Sequence, residues 1–253
     1  MGRGHELVAK VRRLHSGAGR DGVVLFSGGL DSTAIAILAR RKGLNLTPVY
    51  MSHRGNVGNV TKKELTAAHK LAKKATGNDL VVFKPKAKSL PPWYGKDVRF
   101  TGRLPVTKAE KANRNRVFLE VLHDAGMADG LVLVGVFGGG ARAQLAGRGK
   151  DVSKAGLTAH LKKIGAKGTI KTVSDFVSAG GDQGKTDLLK KIGKTSRQAP
   201  LLSQTESCLM YFGKPCGNCW SCVERAQAFM GAWGQDKTPY RPASTAGRLR
   251  RAR

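Results

Sequence analysis

Residues 23–43 read VVLFSGGLDSTAIAILARRKG. Four apolar residues, Val23 to Phe26, lead into Ser-Gly-Gly-Leu-Asp-Ser. A helical pattern follows over Ser32 to Lys42, with Ile35, Leu38 and Ala39 at helical spacing and Gly43 as its stop. The stretch therefore predicts a buried strand, a tight loop and a helix. Gly28 and Gly29 let the backbone turn sharply and bring its N–H groups close to an anion. Ser27 and Ser32 add hydroxyl donors, and the helix that follows Leu30 directs its positive end at the same spot. Asp31 gives nothing to a bare phosphate; it makes sense beside a Mg²⁺ that phosphate oxygens share. The Gly-Lys-Ser/Thr ending of the common nucleotide-binding loop is missing. A glycine turn into a capped helix would explain a glycine pair alone, but the whole hexapeptide behind an apolar strand favours a phosphate site.

The rhythm of that stretch repeats. Leu46–Met51 (LTPVYM) predicts a second strand, and Thr61 to Ala75 an amphipathic helix with Leu65, Ala68, Ala72 and Ala75 inward, closed by Gly77. Leu80–Phe83 predicts a third strand. Pro85 to Thr107 breaks the pattern with prolines, Trp93 and Tyr94, and reads as an insertion. A helix over Lys111–Gly126 and a strand over Leu131–Val136 resume it. Strand–helix alternation of this kind predicts an α/β fold with a doubly wound parallel sheet. In such sheets ligands sit beyond the carboxyl ends of the strands, where strand order reverses, so the loop at Ser27–Ser32 is the expected phosphate site.

Phe137 to Gly184 is rich in Gly, Ala and Lys and reads as a long loop with helix-like pieces around Ala155–Ile164. Helices are expected again over Lys185–Ile192 and Cys219–Met230, and a short leading helix over Glu6–Leu14. The expected division is an α/β domain over 1–200, a cysteine-bearing segment over 201–236, and a tail over 237–253. That tail has six basic and no acidic residues and reads as disordered.

The chain has 253 residues, enough for one large domain with an appendage. Its 45 basic and 17 acidic residues give a net charge of +28. Such an excess favours polyanions through counterion release. Two sources remain open: a nucleic-acid surface, with the tail as a binding arm, or a general habit of the source with an attraction for nucleotides. No apolar run reaches the roughly 20 residues of a membrane helix, and residues 1–10 lack the apolar core of a secretion signal.

All four cysteines, Cys208, Cys216, Cys219 and Cys222, fall within one short segment, with gaps of seven, two and two residues. Two overlapping Cys-x-x-Cys turns with one upstream cysteine can wrap a tetrahedral Zn²⁺ as a closed structural site. A redox Cys-x-x-Cys would leave two of the four unexplained. Clustered metal-type cysteines also suit a reducing cytoplasm.

SGGLDS resembles the pyrophosphate loop of the ATP pyrophosphatase (PP-loop) superfamily, of adenine nucleotide alpha-hydrolase-like fold, which adenylates carbonyl or carboxylate oxygens. That superfamily includes tRNA thiolases, amidotransferase synthetases and the 7-cyano-7-deazaguanine synthases. The segment SC…CGNCWSCVERAQAF resembles the C-terminal signature of the last family, where four cysteines bind structural zinc and a Cys-x-x-Arg follows, here ending at Arg225. NRNRVFL (Asn113 to Leu119) is similar to the family's Gly-Arg-Asn helix start, matching at Arg114 and Asn115. VYMSHRG carries Arg54 near the family's Gln-Arg-His stretch, with Glu64 in the helix beyond, and GKTDLLKKIG places Lys185 like the family's late lysine. The resemblance runs from about Val23 to Phe229. Each of these single residues has a plain alternative: Arg54 a surface ion pair, Arg114 and Asn115 a helix start, Lys185 a solvated helix residue.

The resemblance implies an ATP-dependent ligase that converts 7-carboxy-7-deazaguanine and ammonia to the 7-cyano compound through an adenylate. It assigns Ser27, Gly28, Gly29, Leu30, Asp31 and Ser32 to ATP and Mg²⁺, Asp31, Arg114 and Lys185 to catalysis, and the four cysteines to Zn²⁺. A homodimer and a nucleic-acid partner are allowed, a membrane is not expected, and the cytoplasm is the implied compartment. The chain departs from the family after Val134: Gly138, Gly139 and Gly140 stand where acidic residues and a Tyr-Pro-Asp-Cys-Arg run line the deazaguanine pocket. A carboxylate is the natural partner for the donors of a guanine-like base, so the substitute here would be Asp151 or a backbone carbonyl, with Arg148 in place of the family arginine. Two alternatives follow: a relative that adenylates a different carboxylate or amide on a protein or nucleic-acid base, or a non-catalytic nucleic-acid-binding relative.

Overall fold

The apolar run behind the glycine loop forms β1 (Gly22–Leu25), the central strand of the molecule. A computed structural model describes residues 21–51, 58–83, 108–135, 154–177, 181–206, 208, 214–217 and 219–240, with the backbone alone at 58–63, 108–115, 181–182 and 220. The further elements in chain order are α1 (Leu30–Arg41), β2 (Leu46–Met51), α2 (Gly58–Thr76), β3 (Val81–Phe83), α3 (Lys108–Asp124) and β4 (Leu131–Val134). They continue with α4 (Lys154–Lys163), β5 (Thr169–Thr172), α5 (Gly181–Ile192), α6 (Ala199–Ser203) and α7 (Trp220–Trp233).

Among the described residues, five strands form one parallel sheet in the order β3-β2-β1-β4-β5. The chain first steps from β1 to β2 to β3, then returns to β4 on the other side of β1. Strand order thus reverses between β1 and β4, which makes their carboxyl ends the ligand position of such a sheet.

Both faces are covered, which is why the central strands read as continuous apolar runs rather than alternating ones. Val24, Phe26, Tyr50 and Leu133 point to one face, against Ile35 and Leu38 of α1, Leu71 of α2, Leu188 of α5 and Phe229 of α7. Val23, Val49, Val132 and Ile170 point to the other, against Leu119 and Leu122 of α3 and Leu157 and Leu161 of α4. Neighbours Val23 and Val24 serve opposite layers, as the two-residue strand period requires.

Within 137–184 the helix-like piece expected around Ala155–Ile164 is α4, but the structure corrects the loop reading beyond it, where β5 and a 3₁₀ turn, Val173–Asp175, follow. Ile170 is the one apolar residue of β5 (Thr-Ile-Lys-Thr), so no apolar run marks the strand. A capping box between Thr172 and Asp175 holds the turn that follows it, and Lys154 pairs with Asp175 at 2.5 Å. Helix starts shift too: α2 begins at Gly58, α3 at Lys108 and α5 at Gly181, ahead of the expected Thr61, Lys111 and Lys185. Gly181 and Gly184 are poor helix formers and hid the first turn of α5. Strand β4 ends at Val134, short of the expected Val136. The tail expected from 237 begins too early, because Thr238 is buried and Tyr240 packs on the cysteine cluster. The helix expected over Glu6–Leu14, the insertion at 85–107 and the segment 136–153 lie outside the described residues, as does the tail beyond Tyr240. No helix among the described residues is long and apolar enough to cross a membrane.

Candidate functional site

The hexapeptide sits at the reversal point. Gly28 has φ +72°, and a Cβ there would lie 2.5 Å from the Ala68 backbone N of α2. Only glycine meets both demands, a left-handed backbone and a helix backbone pressed against it. Gly29 is the N-cap of α1 with no side-chain cap bond, so the first N–H groups of the helix have no side chain of their own across them. On the other flank Gly135, just past β4, runs so close to α1 that a Cβ there would stand 2.9 Å from Ser32 N.

The two serines act within the loop. Ser27 N donates to Ser32 Oγ at 3.3 Å, Ser32 Oγ donates to Gly29 O at 3.2 Å, and the two hydroxyls are 3.2 Å apart. Gly29 N donates to Ser27 Oγ at 3.3 Å. These bonds hold the loop's shape, a role that the expectation of free hydroxyl donors did not include. Leu30 opens the helix with its side chain buried in the core.

Asp31 lies in the first turn of α1 and faces Lys185 of α5, with Oδ2 3.6 Å from Nζ. Its Oδ1 is buried without a hydrogen-bond partner among the described residues. Burial pushes the Asp31 carboxyl above its ordinary value, against the pull of Lys185. A buried carboxylate oxygen with nothing on it fits a cation, since an unpaired buried charge is otherwise costly. Lys185 bonds a second carboxylate, Glu224 Oε2, at 2.6 Å. Burial works against the lysine's charge, but the Asp31 and Glu224 carboxylates outweigh it and hold its pKa above the ordinary value. The structure thus brings two of the sequence candidates, Asp31 and Lys185, together. Glu224 was not foreseen; its only sequence signal is an acidic residue next to Arg225 in a chain short of acids.

The four cysteine sulfurs lie within 4.8 Å of one another, three of the cysteines being buried. Tetrahedral thiolate bonds of about 2.3 Å put sulfurs about 3.8 Å apart, and Cys216 Sγ and Cys222 Sγ stand at 3.9 Å. The cluster could hold a metal ion. Hydrogen bonding with Cys208 and Cys219, then burial, push the Cys222 thiol far up. Backbone N–H groups of Cys216 and Cys219 point at cluster sulfurs, on Cys208 Sγ at 3.4 Å and Cys216 Sγ at 3.2 Å.

This cluster is tied to the loop. Glu206 N donates to Gly28 O at 3.0 Å, while its Oε1 accepts from Cys208 N at 2.9 Å. Arg225, 2% exposed, clamps the segment before Glu206 by donating to Leu202 O at 2.9 Å, Ser203 O at 3.1 Å and Thr205 O at 3.1 Å. It also donates to the Thr205 hydroxyl and, at 2.9 Å, to Thr238 Oγ1, and lies over the Phe229 ring. Arg225 is therefore a structural clamp. Of the remaining sequence candidates, Arg114 and Asn115 lie on α3 with their side chains outside the described residues, and Arg54, Arg148, Asp151 and Gly138–Gly140 lie outside them altogether. Glu64 accepts from Tyr50 Oη at 3.4 Å.

Fold and site define a class: a parallel α/β protein with a glycine loop at the reversal point of its sheet and a four-cysteine cluster bonded to that loop. No protein-family model matches the chain. It is similar to the curated 7-cyano-7-deazaguanine synthase of Methanocaldococcus jannaschii, 26% identical over 244 residues that cover 86% of this chain and 98% of that protein. The resemblance to 7-cyano-7-deazaguanine synthases read from the motifs thus extends over most of the chain.

Proposed function

We propose that this protein is an ATP-dependent ligase that makes 7-cyano-7-deazaguanine, or a close analogue, from the 7-carboxy compound and ammonia. The observation that carries this reading is the Asp31–Lys185 pair beside the Ser27–Ser32 loop at the reversal point, in a chain matched over most of its length by a synthase of that name. The carboxylate attacks the α-phosphorus of ATP, giving an acyl adenylate and pyrophosphate. Ammonia displaces AMP and leaves the amide. The amide oxygen is adenylated in turn, and loss of AMP with the amide protons leaves the nitrile. Both carboxylate oxygens therefore depart in AMP.

The residues supply charge and position rather than a nucleophile. Backbone N–H groups of Gly28, Gly29 and Leu30 hold the pyrophosphate, with Ser27 and Ser32 keeping the loop in shape. Asp31 would hold Mg²⁺, which neutralises phosphate charge when bound. Lys185, with Arg114 from α3, balances the charge on the transferring phosphoryl group. The four cysteines would hold one structural Zn²⁺ as a closed four-thiolate site, with no open position for substrate.

A second reading keeps the chemistry and changes the acceptor, because Gly138–Gly140 replace the acidic residues expected to bind a guanine-like base. Mass spectrometry of a reaction with 7-carboxy-7-deazaguanine, ammonia and Mg·ATP tests between them. The nitrile is the expected product; pyrophosphate release only with another carboxylate or amide would select the second reading.

A further inference from the structure

We propose that Glu224 is a positioning residue of the nucleotide site, holding the Lys185 ammonium in place from the helix that the cysteine cluster starts. The proposal rests on the ATP reading of the loop and extends it to a residue outside the loop.

Lys185 stands between two carboxylates, and its shorter contact is the remote one: 2.6 Å to Glu224 Oε2, against 3.6 Å to Asp31 Oδ2. A lysine side chain is long and rotamer-rich, so a fixed partner decides where its charge rests. Glu224 is suited to that task because its side chain is only 4% exposed and its backbone is fixed. It sits two positions after Cys222, in the first turns of α7, where Cys222 N and Val223 N both donate to Cys219 O. Lys185 rides on α5, which packs along α7.

The charges then sort by task. Asp31 and Lys185 form a pair that an arriving nucleotide must separate, the carboxylate turning to a cation and the ammonium to a phosphate oxygen. Glu224 keeps the ammonium at the site during that exchange. Preorganisation of this kind lowers the cost of binding and of reaching the transition state. A plain ion pair tying α5 to α7 would stabilise the fold without favouring the nucleotide, and this difference can be measured.

The test is calorimetric titration of the full chain with Mg·ATP, beside thermal unfolding, for the wild type, Glu224→Gln, Lys185→Met and the double variant. Gln keeps the shape and the acceptor while removing the charge. Lys185→Met alone leaves Glu224 buried without its ammonium and is expected to melt early; the double variant removes both charges and supplies the folded comparison. Glu224→Gln is expected to weaken Mg·ATP tenfold or more while keeping the zinc content and cooperative unfolding of the wild type. The double variant should bind no more weakly than Lys185→Met, because Glu224 acts through the lysine. Wild-type affinity in Glu224→Gln, or losses that add in full in the double variant, would overturn the positioning role alone. A wild-type chain that does not bind Mg·ATP would overturn the reading of the loop, and this proposal with it.

Discussion

Replacing Gly28 by alanine asks the most of the loop for the smallest chemical change. The residue has φ +72°, which costs an L-residue about 1–2 kcal/mol. The added methyl would also lie 2.5 Å from Ala68 N and 2.7 Å from Ala67 C, roughly 1 Å inside ordinary contact. Both are backbone atoms in the middle of α2, so the loop must yield instead. A displacement on the order of 1 Å at a site that positions reacting atoms costs about 10²-fold in rate. Gly43 is the matched control: φ is +80°, but a Cβ there meets nothing within 4 Å. Gly43→Ala should lose only the backbone term, about 1–2 kcal/mol, with turnover intact. The assay is Mg·ATP-dependent pyrophosphate release beside thermal unfolding for both variants. Wild-type turnover in a folded Gly28→Ala protein would refute the claim that this loop grips the nucleotide.

Asp31→Asn should abolish pyrophosphate release. Its sign on stability follows from the raised pKa: the fold favours the neutral form, so the native carboxylate costs stability as pH rises above its unfolded value. In ligand-free protein at pH 7 the variant should therefore melt at or above the wild-type temperature, and a clearly lower midpoint would contradict this. Cys219→Ser should lose the metal and melt early, since binding energy at a structural site is folding energy; metal analysis giving one zinc per wild-type chain and none in the variant checks it. Truncation after Gln235 removes Thr238 from Arg225 and Tyr240 from the Cys222 carbonyl, and should lower the unfolding midpoint. Truncation after Tyr240 removes five arginines and should flatten the salt dependence of any nucleic-acid binding, by roughly 0.7–0.9 in slope for each phosphate that is no longer neutralised; an unchanged slope would exclude the tail as a binding arm.

Local signals were the legible ones. Val23–Phe26 with its glycine pair marked strand, loop and helix because a buried parallel strand leaves a continuous apolar run. The cysteine spacing marked a cluster that could hold a metal ion because its four thiols come from one short segment. Strand β5 stayed hidden because Thr169–Thr172 carries a single apolar residue and takes its place through pairing with β4. The link from the cysteine helix to the loop was equally invisible. Lys185 meets Glu224 and Asp31 through tertiary packing of α5 on α7 and α1, which no local periodicity encodes. Arg225 stood out by its place after Cys222, but nothing in the sequence said that its five donors would go to carbonyls and hydroxyls of 202–205 and to Thr238.

Oxygen transfer tests the account most directly. 7-Carboxy-7-deazaguanine labelled with ¹⁸O in both carboxylate oxygens is incubated with the wild-type chain, ammonia and Mg·ATP, and the AMP is analysed by mass spectrometry. Adenylation of the acid and then of the amide predicts two AMP per nitrile, each carrying one ¹⁸O in its phosphate. Unlabelled AMP, or no AMP formed with this substrate, would contradict the proposed reaction.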